Sequence, residues 1–226
     1  MNKTLNAIDN SESFNAIKEA HQLNCEAEKL EQYYDKWSSK YDSDVSDENY
    51  SGPKFVADYL ADVLQNKLKI DSRNNTEIEI LDAGCGTGLV GIALKDKGFQ
   101  NIDGFDLSHK MVEIANQSDV YRSLRGGCDM TTRIEAYEDE QYQVIVCCGV
   151  FTLGHVPPTS LEELIRITKK GGLLLVSTRK SYYDSSDFQI VCDSFQEQGK
   201  FTLIDSVMDG PYIAEEGAHY WAFVIS

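Results

Sequence analysis

Three observations predict a single α/β domain built on a mostly parallel sheet. The run Ile80-Leu81-Asp82-Ala83-Gly84-Cys85-Gly86-Thr87-Gly88-Leu89-Val90-Gly91 is a buried strand that breaks into a glycine-rich turn and then a helix. Strand-like Ile102-Asp103-Gly104-Phe105 ends at Asp106, roughly 20 residues after that turn, the distance expected of the second parallel strand of a βαβ unit. Tyr142 to Val156 carries a continuous apolar run, as a central parallel strand buried on both faces requires. At 226 residues the chain is long enough for one such domain and too short for two full ones.

The elements follow in order. Met1 to Asn10 is polar and has no apolar core. Ser11 to Tyr34 reads as one amphipathic helix with Phe14, Ile17, His21, Cys25 and Leu30 near one face. Tyr34, Trp37 and Tyr41 then recur at helical spacing, a stripe that serves a core or a ligand equally well. Asp42 to Pro53 is acidic and loop-like, Lys54 to Leu68 repeats Val56, Tyr59, Leu60, Val63 and Leu64 in a helical pattern, and Asn66 to Glu77 is a polar connection. After the glycine turn, Leu89 to Lys97 is the first crossover helix and Gly98 stops it. Met111 to Asn116 lies in the second helix, and a third strand near Leu124 is poorly signalled. Thr159-Ser160-Leu161-Glu162-Glu163 opens a helix with capping signals that runs to Thr168 and is stopped by Gly171-Gly172. Leu173 to Ser177 is another buried strand, Ser181 to Asp187 a polar loop and Phe188 to Gln198 a helix. Phe201 to Val207 and His219 to Ile225 are two final strands, joined by a loop containing Gly210-Pro211 and Gly217.

Composition narrows the partners. The formal net charge is -16, from 37 acidic against 21 basic residues, so a phosphate backbone or an anionic membrane is repelled. No apolar window approaches the ~20 residues of a membrane span. The six cysteines show no C-x-x-C spacing, a reduced, cytoplasmic pattern, and no metal site is expected. Cys147 and Cys148, neighbours on a strand, point to opposite faces.

The turn carries the chemistry. Glycines at 84, 86 and 88 allow positive φ and close approach of a ligand, while the helix start near Leu89 offers unpaired N–H donors. A dinucleotide site reads G-x-G-x-x-G, with its third glycine where this chain has Leu89, and the tighter G-x-G-x-G here argues against a nicotinamide-linked oxidoreductase. Asp82-Ala83-Gly84-Cys85-Gly86-Thr87-Gly88 resembles motif I of the class I S-adenosylmethionine (SAM)-dependent methyltransferases, and Asp106-Leu107-Ser108-His109-Lys110-Met111 resembles that family's D-x-S-x-x-M segment. The resemblance implies a Rossmann-like sheet of seven strands with an antiparallel ending. It also implies a helical lid and lead-in over residues 1–70, a core over 71–226, and SAM as cofactor. It puts the cofactor's amino-acid end on Asp82, Gly84, Cys85, Gly86, Thr87 and Gly88, and its ribose on Asp106, within the segment that includes Leu107, Ser108 and Met111. It puts the adenine on Asp129 and Met130, the transfer site at Cys148 and Gly149, and the aromatic lid at Trp37 and Tyr41. Asp106 and Ser108 can also cap the following helix.

The stretch from Val150 to Pro157 resembles the G-V-F-x-x-G-H-V segment of the Williams-Beuren-region methyltransferase-like subfamily, which shares the lead-in at Tyr34 to Trp37. Cys148-Gly149-Val150-Phe151 stands where nucleobase-amine and protein-glutamine methyltransferases carry N-P-P-Y, which disfavours those substrates. The expected reaction is methyl transfer to a small-molecule O, N or S acceptor. The alternatives are a non-catalytic SAM-binding module or aminopropyl transfer from decarboxylated SAM. His155 is the candidate general base, and Tyr182, Tyr183, Tyr212 and Tyr220 are candidates for the acceptor wall, although packing is the ordinary role of each.

Overall fold

A computed structural model describes residues 12–226, so the polar stretch Met1 to Asn10 lies outside the described residues. Seven strands form one sheet: β1 (Glu79–Ala83), β2 (Asn101–Phe105), β3 (Ser123–Arg125), β4 (Tyr142–Phe151), β5 (Thr168–Arg179), β6 (Phe201–Gly210) and β7 (Ala218–Ile225). Their order is β3-β2-β1-β4-β5-β7-β6. Pairings among β1 to β5 are parallel and β7 runs antiparallel to both β5 and β6. The expected sheet is therefore present, with its order reversing between β1 and β4. In an open α/β sheet a crevice opens there, beyond the carboxyl ends of the strands.

Two apolar layers cover the sheet. One packs Val56 and Leu60 of α3 (Gly52–Asp62) and Val90 and Leu94 of α4 (Leu89–Asp96) against Ile80, Val146 and Cys148. The other packs Leu161 and Leu164 of α6 (Leu161–Ile167) and Phe188 of α8 (Phe188–Glu197) against Leu81, Ile145 and Cys147. Cys147 and Cys148 thus face opposite sides, as strand alternation dictates. Helix α5 (His109–Ala115) follows β2.

Five local expectations are corrected. The N-terminal helix is two: α1 (Glu12–Ala20) and α2 (Ala27–Asp47) are separated where Asn24 and Cys25 take left-handed backbone at φ 53° and 59°. Cys25 N–H donates to the Gly154 carbonyl at 2.8 Å, so a contact with the distant loop after β4 fixes the break. Asp42 to Pro53 is not a loop throughout, because α2 runs on to Asp47 and α3 starts at Gly52 with Pro53 in its first turn. Gly171-Gly172 does not stop a helix. Helix α6 ends at Ile167, and Thr168 already pairs with Tyr142, the intervening residues forming a bulge before Leu173 pairs with Val144. The capping signal ahead of α6 goes unused, since the Ser160 hydroxyl has no partner. Finally, Ser181 to Asp187 is mostly α7 (Lys180–Ser185), whose first turn is tied down by Glu216 through the Ser181 N–H and hydroxyl, both at 2.8 Å.

Candidate functional site

The crevice between β1 and β4 holds a cavity that opens to solvent. Its floor is the glycine turn. Gly84 sits at φ +75°, and a Cβ there would overlap Val150 Cγ2, so only glycine keeps strand and turn this close. Asp106 closes the side of the cavity. Its Oδ2 accepts the Gly86 N–H and its Oδ1 the Ser108 N–H, each at 2.8 Å, so the backbone fixes the carboxylate while leaving lone pairs on both oxygens. Burial raises its pKa and those donors oppose the rise. Leu107, Met111, Asp129 and Met130 line the far wall, and Cys148 and Gly149 the end nearest β4. Asp129 also holds an Asx turn, its Oδ1 accepting the Thr131 N–H and hydroxyl at 2.8 and 2.7 Å.

Other candidates stand behind this lining. Asp82 is fully buried and accepts the Tyr121 hydroxyl at 2.7 Å; Tyr121 in turn accepts the Gly91 N–H of α4. Its second oxygen has no partner, and burial raises its pKa to about 7. Cys85 is buried, and Gly88 caps α4 in left-handed backbone. Thr87 donates to Asp42 of α2 at 2.5 Å. Ser108 caps α5 through the Met111 N–H and donates to Asp35 of α2 at 2.5 Å; Asp35 also accepts the Lys110 N–H at 3.2 Å. Helix α2 is therefore fastened at two points across the turn and the start of α5.

That helix also divides the crevice. Tyr34 and Tyr41 line the first cavity and, with Gly149 and His155, a second, smaller one. Gly149 is at φ +87°, and a Cβ there would lie 2.7 Å from the Tyr50 hydroxyl. Trp37 lines the second cavity rather than the first and donates its indole N–H to Asp44 at 2.7 Å. His155 has both ring nitrogens engaged. The Leu153 carbonyl at 2.8 Å can only accept, so Nδ1 carries the proton and Nε2 accepts the Tyr34 hydroxyl at 2.7 Å. Burial lowers the His155 pKa to about 4, helped by Arg179. Burial pushes the Cys148 thiol up to about 12, so it is no thiolate. Of the four candidate wall tyrosines, Tyr212 lines this cavity, whereas Tyr182 bonds the Val156 carbonyl, Tyr183 packs on His219 and Trp221, and Tyr220 is buried in the core.

Among the second cavity's lining residues that sequence reading did not assign to the site are His21, Tyr50, Thr152 and Arg179. Arg179 had a signal, being a charge at the carboxyl end of a buried strand. His21 and Tyr50 had none, because they reach the cavity from the connections between α1 and α2 and between α2 and α3, far away in sequence. Among the described residues no group of side chains could hold a metal ion, and no helix is long and apolar enough to cross a membrane.

A doubly wound sheet with a glycine turn and an acidic residue at its switch point defines a class I methyltransferase fold. Residues 53–225 match the methyltransferase domain family, and the chain belongs to that family. It is 31% identical to Methyltransferase-like protein 27 of Homo sapiens, over 72% of this chain and 62% of that protein. It is 34% identical to the malonyl-[acyl-carrier protein] O-methyltransferase of Halalkalibacterium halodurans, over 54% of this chain and 45% of the relative. The chain thus matches less than two thirds of the length of either protein. The magnesium protoporphyrin IX methyltransferase of Synechocystis PCC 6803, solved with bound SAH, shares the fold at TM-score 0.56 and 17% identity, over 76% of this chain and 83% of that one.

Proposed function

We propose that the protein transfers the methyl group of SAM to a small-molecule acceptor, with the first cavity for the donor and the second for the acceptor. The observation that carries this reading is the shared boundary, at which Tyr34, Tyr41, Gly149 and His155 line both cavities. Bound SAM supplies a methyl group on a sulfonium, already activated for displacement. Gly84 and Gly86 leave room for its amino-acid end, in a turn shaped by Asp82, Cys85, Thr87 and Gly88. Asp106 receives the ribose hydroxyls on its free lone pairs, with Ser108 and the Leu107 backbone steadying it. Met111, Asp129 and Met130 form the adenine pocket. The faces of Tyr34 and Tyr41 attract the positive sulfur, Trp37 backs them, and Cys148 and Gly149 flank the path of transfer.

Residues before about 70 act as lid and lead-in, and helix α2 keeps water from the boundary. Holding acceptor and methyl in line supplies most of the acceleration such a displacement needs. His155, with its basic nitrogen given to Tyr34, serves as a positioning residue for that ring rather than as a base. The cysteine pattern supports a reducing, cytoplasmic setting. Asp106→Ala should weaken S-adenosylhomocysteine binding at least about tenfold by calorimetry, the loss expected for hydrogen bonds to a charged group. Unchanged affinity in a folded variant rejects the assignment.

A further inference from the structure

The second cavity has a charge signature of its own. Tyr34, Tyr41, Tyr50 and Tyr212 surround it, and burial raises the pKa of each, so all four stay protonated. His21 is neutral as well: burial, Arg179 and His155 lower its pKa to about 3, and its Nε2 accepts from Thr152 Oγ1 and Arg179 Nη1, both at 3.1 Å. Arg179 is the one charged side chain among the described lining residues, and it is 4% exposed. Glu216 receives its Nε–H at 2.5 Å and Glu215 one Nη2–H at 2.6 Å, which fixes the plane of the fork from the side of the β6–β7 loop. With one Nη1–H on His21, three of its five N–H groups are used, leaving one on each terminal nitrogen. Both glutamates are more exposed than the arginine, at 34% and 17% of their side chains.

We infer that this cavity takes a carboxylic acid with a flat apolar body, that Arg179 anchors its carboxylate, and that the product is the methyl ester. The inference rests on the methyl-transfer reading and names its acceptor. An ammonium acceptor, itself only a donor, would face the remaining N–H groups of Arg179, which also can only donate, beside a donor site that itself holds a cation. An alcohol, phenol or thiol would have to lose a proton, and both histidines of the cavity have their basic nitrogens occupied. A carboxylate needs no base. One of its oxygens rests on the free guanidinium N–H groups and the other forms the new O–CH₃ bond as the methyl–sulfur bond breaks and its electron pair returns to sulfur. A sulfonium and a carboxylate become a neutral thioether and a neutral ester, and no proton moves. The aromatic walls cover the body of the acid by stacking.

Calorimetry on protein saturated with S-adenosylhomocysteine tests this with benzoate, trans-cinnamate and hexanoate, each against its amide, and with benzylamine. At least one acid should bind at least tenfold more tightly than its amide, and Arg179→Gln should erase that preference while leaving S-adenosylhomocysteine affinity within twofold. With SAM, the same acid should yield its methyl ester by mass spectrometry. If no acid outbinds its amide, or if benzylamine binds more tightly than any acid, the carboxylate assignment falls while the methyl-transfer reading stands. If S-adenosylhomocysteine itself does not bind, both fall. Should the variant not fold, the acid-against-amide comparison in the unaltered protein decides alone.

Discussion

Asp82 behind the crevice and His155 in its wall are both buried, and burial moves their titrations in opposite senses. Asp82 is raised from 3.8 to about 7, so its contribution to stability is complete below pH 3.8 and is lost as pH rises to about 7. At about 1.4 kcal/mol per unit, that window is worth on the order of 4 kcal/mol. His155 is lowered from 6.5 to about 4, so its contribution is present above pH 6.5 and is lost as pH falls through 4. The two slopes offset each other in the wild type, and single variants separate them. Urea unfolding of Asp82→Asn should show a stability difference from wild type that shifts toward the variant by more than about 1 kcal/mol between pH 5 and pH 8. His155→Gln should shift toward the variant as pH falls from 7 to 4. A difference that stays constant with pH in either variant removes the titration argument for that residue. The place of Asp106, lining the crevice at the end of β2, was legible in the sequence from its distance to the glycine turn. The occupied nitrogens of His155 were not, since Tyr34 lies 121 residues away.

Helix α2 links the two cavities mechanically. Its Asp35 holds the cap of α5 and its Asp42 holds the turn, each through a hydrogen bond to a carboxylate worth about 1.5–3 kcal/mol. Asp35→Ala and Asp42→Ala should each raise hydrogen exchange across residues 27–47 and speed S-adenosylhomocysteine dissociation at least fivefold by stopped flow, with little effect on the thermal midpoint of the sheet. Unchanged exchange and dissociation would mean the helix is held by packing alone. The aromatic stripe that marks α2 was readable from its helical spacing, but its extent was not, because an acidic run resembles a loop until Asp42 and Asp44 find Thr87 and Trp37. The same limit hid the break between α1 and α2 and the bulge in β5. Gly171-Gly172 suits a helix stop and a strand bulge alike, and only the pairing of Thr168 with Tyr142 selects the second. Strand β4 was legible because burial on both faces leaves an unbroken apolar run, whereas the short edge strand β3, with no buried residue, left almost no signal.

Over the whole molecule, charge and site differ in sign. A formal net charge of -16 surrounds an inner cavity whose charged lining residue is an arginine. The surface field discourages polyanions from associating anywhere, whereas the buried guanidinium acts at contact, where solvent no longer screens it. Composition could speak only for the first of these. The fastening of α2 has a kinetic reading as well. Tyr34 and Tyr41 line both cavities, and on the proposed assignment of donor and acceptor the release of Asp35 and Asp42 would open the boundary between them. On that proposal, departure of the spent donor would be the slow event of the cycle, as with lids in many enzymes. Mixing enzyme, SAM and acceptor rapidly should give a fast first turnover of about one product per chain before a slower steady rate, and a linear start would show that chemistry is slow instead. Two hydroxyl-to-carboxylate contacts on one helix would then set the pace of the enzyme.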